Sequence, residues 1–191
     1  MTDRGRDPGL TVHVLRVTLL DVSPPVWRLL RVPSAVTLSA LHAVLQISFG
    51  WEDRHLHEWR VGGVTYGTAG EEDWGEDFAD ETAAVLGVVA PDDAVLHYDY
   101  DMGDGWEHLV EVVEVVPFDA TTPPLAVLDG ARSAPPEDSG GPLGYEHLLD
   151  ALADPADEEH DDAVEWLGDS FDPEAFDRLA INRRLEPLWR L

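Results

Sequence analysis

The sequence predicts one α+β domain: a mixed, mostly antiparallel sheet with a ββα opening and a C-terminal helical layer. Three observations carry that expectation. Two β-branched runs, residues 11–21 and 26–32, flank Ser23-Pro24-Pro25, the pattern of a strand, a break and a returning strand. Leu38, Leu41, Leu45 and Phe49 then recur at helical spacing. From about residue 143 the apolar positions again repeat with a helical period. Hydrophobic residues make up 44% of the 191 residues, enough for a substantial core.

Taken in order, residues 1–10 are polar, carry Pro and Gly, and read as a loose N-terminus; residues 11–191 read as the domain. Arg16, Arg28 and Arg31 lie on the first strand pair and are the nearest approach to a basic patch, more in keeping with solvated surface than with a phosphate site. Thr37 is a good N-cap for the first helix and Gly50 its stop. If residues 55–61 form a strand, His55, His57 and Trp59 share a face, and two histidines two apart can ligate one metal. Gly62-Gly63 turns the chain. Residues 67–80 are acidic and Gly-containing, with Trp74 and Phe78 embedded, and read as a long loop or lid; residues 82–89 read as a short helical turn.

The stretch Tyr98-Asp99-Tyr100-Asp101-Met102-Gly103-Asp104-Gly105-Trp106-Glu107-His108 reads as a β-hairpin within a run from Ala94 to Val116. Asp104-Gly105 fits a two-residue turn, which needs positive φ at both central residues. Alternation puts His97, Asp99 and Asp101 on one face. A two-residue turn sets Asp101 opposite His108; a three-residue bulged turn sends His108 to the other face, and the sequence leaves that register open. Residues 117–142 read as a second irregular stretch, stiffened by proline, with Glu137 and Asp138 placed to present carboxylates to the hairpin. In the tail, Tyr145, Leu148, Leu149 and Leu152 make one apolar helix face. Asp154-Pro155 and Asp172-Pro173 each read as a helix start, with His160 on a buried stripe and Arg183-Arg184 complementing a last-turn dipole.

Charge narrows the functions. The formal net charge is −27, with 39 acids against 12 Arg and no Lys. Residues 1–70 are nearly balanced, seven Arg against six acids, whereas residues 71–191 carry five Arg against 33 acids. Such a surface repels phosphates, so direct nucleic-acid binding is disfavoured, and a cationic protein partner or divalent cations are favoured. No cysteine is present, which removes disulfides and thiolate chemistry. No apolar run is long enough for a membrane and no signal-type segment opens the chain, so a cytoplasmic location is expected. Phosphate-loop, dinucleotide, GxSxG, HExxH and EF-hand patterns are all missing.

Five separated motifs carry a resemblance. They are Pro24-Pro25-Val26-Trp27-Arg28; Phe49-Gly50-Trp51-Glu52-Asp53 before His55-Leu56-His57; the hairpin motif through His108; Pro135-Pro136-Glu137-Asp138 with Gly140-Gly141-Pro142; and Phe171-Asp172-Pro173-Glu174 with Phe176-Asp177. In this order the chain resembles the Ri-plasmid ORF-three-like family, whose members are passenger proteins of insertion elements and plasmids and are often labelled TnpR. The resemblance covers residues 12–185 and implies an α+β unit of mixed sheet plus helices. The label suggests a resolvase, but no serine-recombinase nucleophile motif and no Arg/His/Tyr recombinase pattern is found. Members commonly carry Cys on each side of the Pro-Pro-Glu-Asp segment; here Ala134 and Ser139 stand there, so any thiolate role is lost.

Three functions are compatible with these residues. The favoured one is a non-catalytic accessory module that binds a cationic protein partner. The second is a metal-dependent hydrolase, with Asp99, Asp101 and His108 holding Mg²⁺, Mn²⁺ or Zn²⁺, helped by His55, His57, Glu137 or Asp138. Tyr98 and Trp106 complete the candidate site. The third is an acidic DNA mimic.

Overall fold

Strand β1 (Thr11–Leu19) and strand β2 (Trp27–Pro33) pair antiparallel, with Leu15 opposite Leu30 and Val17 opposite Arg28. Helix α1 (Leu38–Phe49) follows, its first turn capped by the Thr37 hydroxyl, which accepts from Ala40 N–H at 3.2 Å, and its end set by Gly50 at φ 87°. The coordinates form a computed structural model that describes residues 10–67, 78–168 and 171–189. The loose terminus read at residues 1–10, Leu10 excepted, and the lid read at 67–80, Trp74 included but for its ends, lie outside the described residues.

The remaining strands are β3 (His57–Val61), β4 (Val64–Gly67), β5 (Ala79–Asp80), β6 (Val95–Tyr100), β7 (Trp106–Pro117) and β8 (Ala126–Ala131). Among the described residues they join β1 and β2 in one eight-stranded sheet, in the order β5-β4-β3-β6-β7-β1-β2-β8. Every neighbouring pair is antiparallel except β4 with β5. The other helices are α2 (Leu86–Val89), α3 (Gly141–Ala153), α4 (His160–Leu167) and α5 (Arg178–Leu185). The fold is α+β, as the sequence predicts, and no helix among the described residues is long and apolar enough to cross a membrane.

Alternation decides what is buried. Trp59 on β3, Tyr98 and Tyr100 on β6, and Trp106 and His108 on β7 are all fully buried with Leu38, Leu41 and Leu45 of α1. Each large apolar side chain so buried contributes about 1.5–3 kcal/mol against the entropy of ordering it.

Four local expectations are corrected. The hairpin connection is five residues, 101–105, because Asp101 leaves the strand in the left-handed region at φ 54° and Gly105 N–H closes on Asp101 O. The β3 strand starts at His57, so His55 lies in the preceding loop. Residues 117–142 contain β8, an edge strand that among the described residues pairs with β2 alone. Asp154 and Asp172 cap turns rather than helices: their Oδ1 atoms accept from Ala156 N–H and Glu174 N–H at 2.9 Å, and α4 and α5 begin later, at His160 and Arg178.

Candidate metal centre

Three connections meet at one end of the β3–β6–β7 sheet. The first, residues 50–56, is held by Trp51, whose ring stacks on Tyr100 at 4.9 Å and whose Nε1–H donates to Pro135 O at 2.8 Å. That bond ties the loop to the Pro-Pro-Glu-Asp segment. The second is the 101–105 turn, joined to the first by Asp101 N–H donating to Leu56 O at 2.9 Å. The third is residues 134–140, where Gly140 N–H donates to Asp104 Oδ2 at 2.9 Å. Gly141, at φ 71°, lets α3 start against the turn: a Cβ there would lie 2.3 Å from Asp104 O.

Four side chains converge between these connections. His55 Nε2 lies 3.0 Å from Asp138 Oδ1, 3.5 Å from Asp101 Oδ2 and 3.9 Å from Glu137 Oε2. Ligand atoms of His55, Asp101 and Asp138 all fall within 4.8 Å of one another. Two carboxylates are held by one oxygen and leave the other free. Asp101 Oδ1 accepts from Gly103 N–H and Asp104 N–H, at 3.0 and 3.3 Å. Glu137 Oε1 accepts from Glu52 N–H at 2.7 Å and from the Tyr100 hydroxyl at 2.8 Å. The second oxygen, Glu137 Oε2, is shielded from solvent and has no hydrogen-bond partner, and the same is true of His55 Nε2, which is not aligned to donate to Asp138. The Glu137 side chain is only 10% exposed. A buried carboxylate oxygen and a buried imidazole nitrogen facing each other unsatisfied are what a bound cation resolves. Burial and the bond to Glu137 raise the Tyr100 hydroxyl pKa, so it stays a donor.

The other residues singled out by sequence are placed elsewhere. Asp99 and His108 do not join Asp101. Asp99 faces the opposite side of the sheet, 2.8 Å from Arg60, with its pKa raised to about 6, chiefly by burial. His108 pairs across from Tyr98, is fully buried, and has its pKa lowered to about 4 by burial. Its Nδ1 lies 3.1–3.2 Å from the Trp106 and Tyr98 carbonyl oxygens. The alternation that linked Asp99, Asp101 and His108 ends with Tyr100, because the next residue, Asp101, is left-handed. His57 pairs with buried Glu81 at 2.9 Å, and Tyr98 and Trp106 are core.

Sequence reading missed His42, Gln46, Asp53 and Glu81. Glu81 pairs with His57, and the bonds of the other three close a ring through Tyr98. Asp53 N–H donates to Gln46 Oε1 at 2.9 Å, which fixes that amide so Nε2–H donates to Tyr98 Oη at 3.1 Å. The Tyr98 proton then goes to His42 Nδ1 at 2.8 Å, and His42 Nε2–H returns to Asp53 Oδ1 at 2.9 Å. The His42 ring stacks on His57 at 3.6 Å, and burial, then His57, lowers the His42 pKa. The available signal was the i, i+4 pair His42 and Gln46 beside the Leu38/Leu41/Leu45 stripe.

Comparison with known proteins agrees with this architecture. Residues 11–180 match the plasmid pRiA4b ORF-3-like protein family. The chain is 40% identical over 177 residues to uncharacterized protein y4hQ of Sinorhizobium fredii (strain NBRC 101917 / NGR234), covering 91% of this chain and 90% of that protein. It is similar in structure, with a TM-score of 0.80 and 34% identity, to the crystal structure of MM3350, a protein of unknown function from Methanosarcina mazei Go1, over 88% of this chain and 96% of that one.

Proposed function

The chain belongs to the plasmid pRiA4b ORF-3-like protein family, and on that premise we propose that it is a metal-clasped, non-catalytic accessory module. His55, Asp101, Glu137 and Asp138 hold one divalent cation that ties the three connections together. The observation that carries this reading is the buried, unpartnered pair Glu137 Oε2 and His55 Nε2, 3.9 Å apart, with the other Glu137 oxygen already occupied. Three oxygens and one imidazole suit Mn²⁺ or Zn²⁺ better than Mg²⁺, which prefers oxygen and keeps its waters. Three anionic donors exceed the one or none of catalytic zinc sites built from His₃ or His₂Glu. The surplus negative charge weakens the ion as a Lewis acid, which favours a clasp over a hydrolase. The acidity of the chain, formal net charge −27, fits a cationic protein partner.

The test is calorimetric titration of Mn²⁺ and Zn²⁺ into chelator-treated, dialysed protein. One equivalent is expected to bind and to raise the melting temperature. Absence of binding at millimolar metal ends the reading. Metal-dependent hydrolysis of simple phosphate or carboxylate esters replaces the clasp with the hydrolase.

A further inference from the structure

Arg28, read from the sequence as solvated surface, is instead a buried cation. It follows Trp27 on β2 within the Pro-Pro-Val-Trp-Arg motif, and it is 2% exposed. Its Nε–H donates to Ser48 O at 2.9 Å, and Nη1 donates to Trp27 O and Ala131 O at 2.8 and 2.9 Å. The guanidinium carbon sits 5.0 Å from the Phe49 ring and 5.0 Å from the Phe176 ring. Gly130 makes room for Phe176, since a Cβ there would lie 2.7 Å from that ring. Among the described residues no carboxylate reaches Arg28, and Nη2 makes no hydrogen bond. The other buried arginine, Arg132, pairs with Glu174 at 2.7 Å. The Arg28 charge is opposed by neutral groups, the carbonyl oxygens of Ser48 in the last turn of α1, Trp27 and Ala131 and the two ring faces, and a helix end supplies about half an elementary charge. Burial, with no acidic neighbour to offset it, lowers the Arg28 pKa to about 10.

A buried cation left without a counter-ion is expensive, and more unusual in a chain with 39 acids to choose from. Arg28 lines a cleft of about 440 Å³, together with Phe49, Phe171, Phe176 and the exposed Arg184. That volume is in the range of pockets for single small molecules. Asp177 also borders the cleft, but its Oδ1 is engaged by Ala180 N–H at 2.9 Å.

We propose that this cleft binds a small organic monoanion, a carboxylate on an aromatic or branched aliphatic body. The head group accepts from Arg28 Nη2 and from Arg184. The body lies against Phe171 and Phe176. Three of the five Arg28 N–H groups are already used, which leaves Nη2 for a single contact to the head group. A monoanion fits better than a dianionic phosphate on grounds of charge. The field of a net −27 chain opposes each additional negative charge on the ligand. The inference does not rest on the metal reading, although the cleft wall includes Pro135 and Pro136, which precede Glu137.

The experiment titrates 4-phenylbutyrate, 4-phenylbutanol and phenyl phosphate into the full chain by calorimetry. Saturable 1:1 binding of the carboxylate is expected, with the alcohol weaker by about tenfold or more, the loss of a charge-assisted contact. Phenyl phosphate is expected to bind more weakly than the carboxylate. Arg184→Glu and Ala175→Trp alter exposed positions at the cleft, so both variants should fold; each is expected to weaken 4-phenylbutyrate at least about tenfold. Arg28→Met should abolish binding, and if it fails to fold the two exposed variants carry the test. No saturable binding of the carboxylate at millimolar concentration overturns the proposal, as does an alcohol that binds equally well. Equal affinity in both exposed variants and the parent chain does the same.

Discussion

Two imidazole–carboxylate groups approach the same Tyr100 ring, His55 at 5.9 Å and His42 at 6.5 Å between ring centroids, and they are satisfied to opposite degrees. Around His42 every donor meets an acceptor, and the bonds return to Asp53, where they began. Around His55 three carboxylates crowd one nitrogen, and two buried atoms have no partner. Both groups involve the 50–56 loop, the first joining it to α1 and β6 and the second to the 101–105 and 134–140 connections, so sequence distance does not separate them. What separates them is closure. A closed network stabilises the fold and has no capacity left for a ligand; an open one weakens the fold and is completed from outside.

The largest effect should come from opening the closed ring. His42→Ala leaves the buried Tyr98 hydroxyl without its acceptor and removes the stacking partner of His57. It is expected to lower stability by about 3 kcal/mol, read by urea unfolding, with metal stoichiometry unchanged. A loss under about 0.5 kcal/mol would mean the ring contributes little. Next comes the open group. Glu137→Gln is expected to weaken Mn²⁺ affinity by roughly 10–100-fold while leaving metal-free stability unchanged or raised, because it removes one of three crowded carboxylates. Metal-free destabilisation with normal affinity would reverse the assignment of roles.

Two core groups away from either network give a third, smaller test. Asp99, with a folded pKa raised to about 6, binds more protons folded than unfolded, so its contribution is present at low pH and is lost as pH rises through about 6. His108, lowered to about 4, has the opposite sign: its contribution is present above the unfolded value and is lost as pH falls towards 4. Between pH 4 and 6 the two slopes oppose each other. Asp99→Asn removes one of them, so stability in that variant should rise with pH over this interval, by an amount on the order of 1–2 kcal/mol. A profile parallel to the parent chain would show that Asp99 titrates unperturbed. The smallest effect belongs to the rim: Arg54→Ala breaks an exposed pair with Glu52 and should change stability by less than about 0.5 kcal/mol.

What the sequence disclosed followed from periodicity. Helix α1 was legible between Thr37 and Gly50, and β1, β2, β6 and β7 were legible from β-branched and aromatic runs. What it hid turned on single backbone torsions. The left-handed Asp101 lengthens the hairpin connection, releases that carboxylate from strand alternation, and turns it to His55 instead of His108. Asp-Pro signals at 154 and 172 marked real caps, but on turns, which local chemistry alone does not distinguish from helix starts. The β8 edge strand was masked by Asp129-Gly130 and flanking prolines, because one-sided pairing makes weak demands on composition. His42 was hidden by its helical neighbours, and Glu81 by its position directly after the acidic stretch 67–80.

The most direct test is a crystal structure of the chain grown with Mn²⁺ and measured for anomalous scattering. The account predicts one strong peak within ligand distance of His55 Nε2, Asp101 Oδ2, Glu137 Oε2 and Asp138 Oδ1, absent in Glu137→Gln at the same metal concentration. A saturated crystal with no density between those atoms, or with His55 donating a proton to a carboxylate in its place, would contradict it.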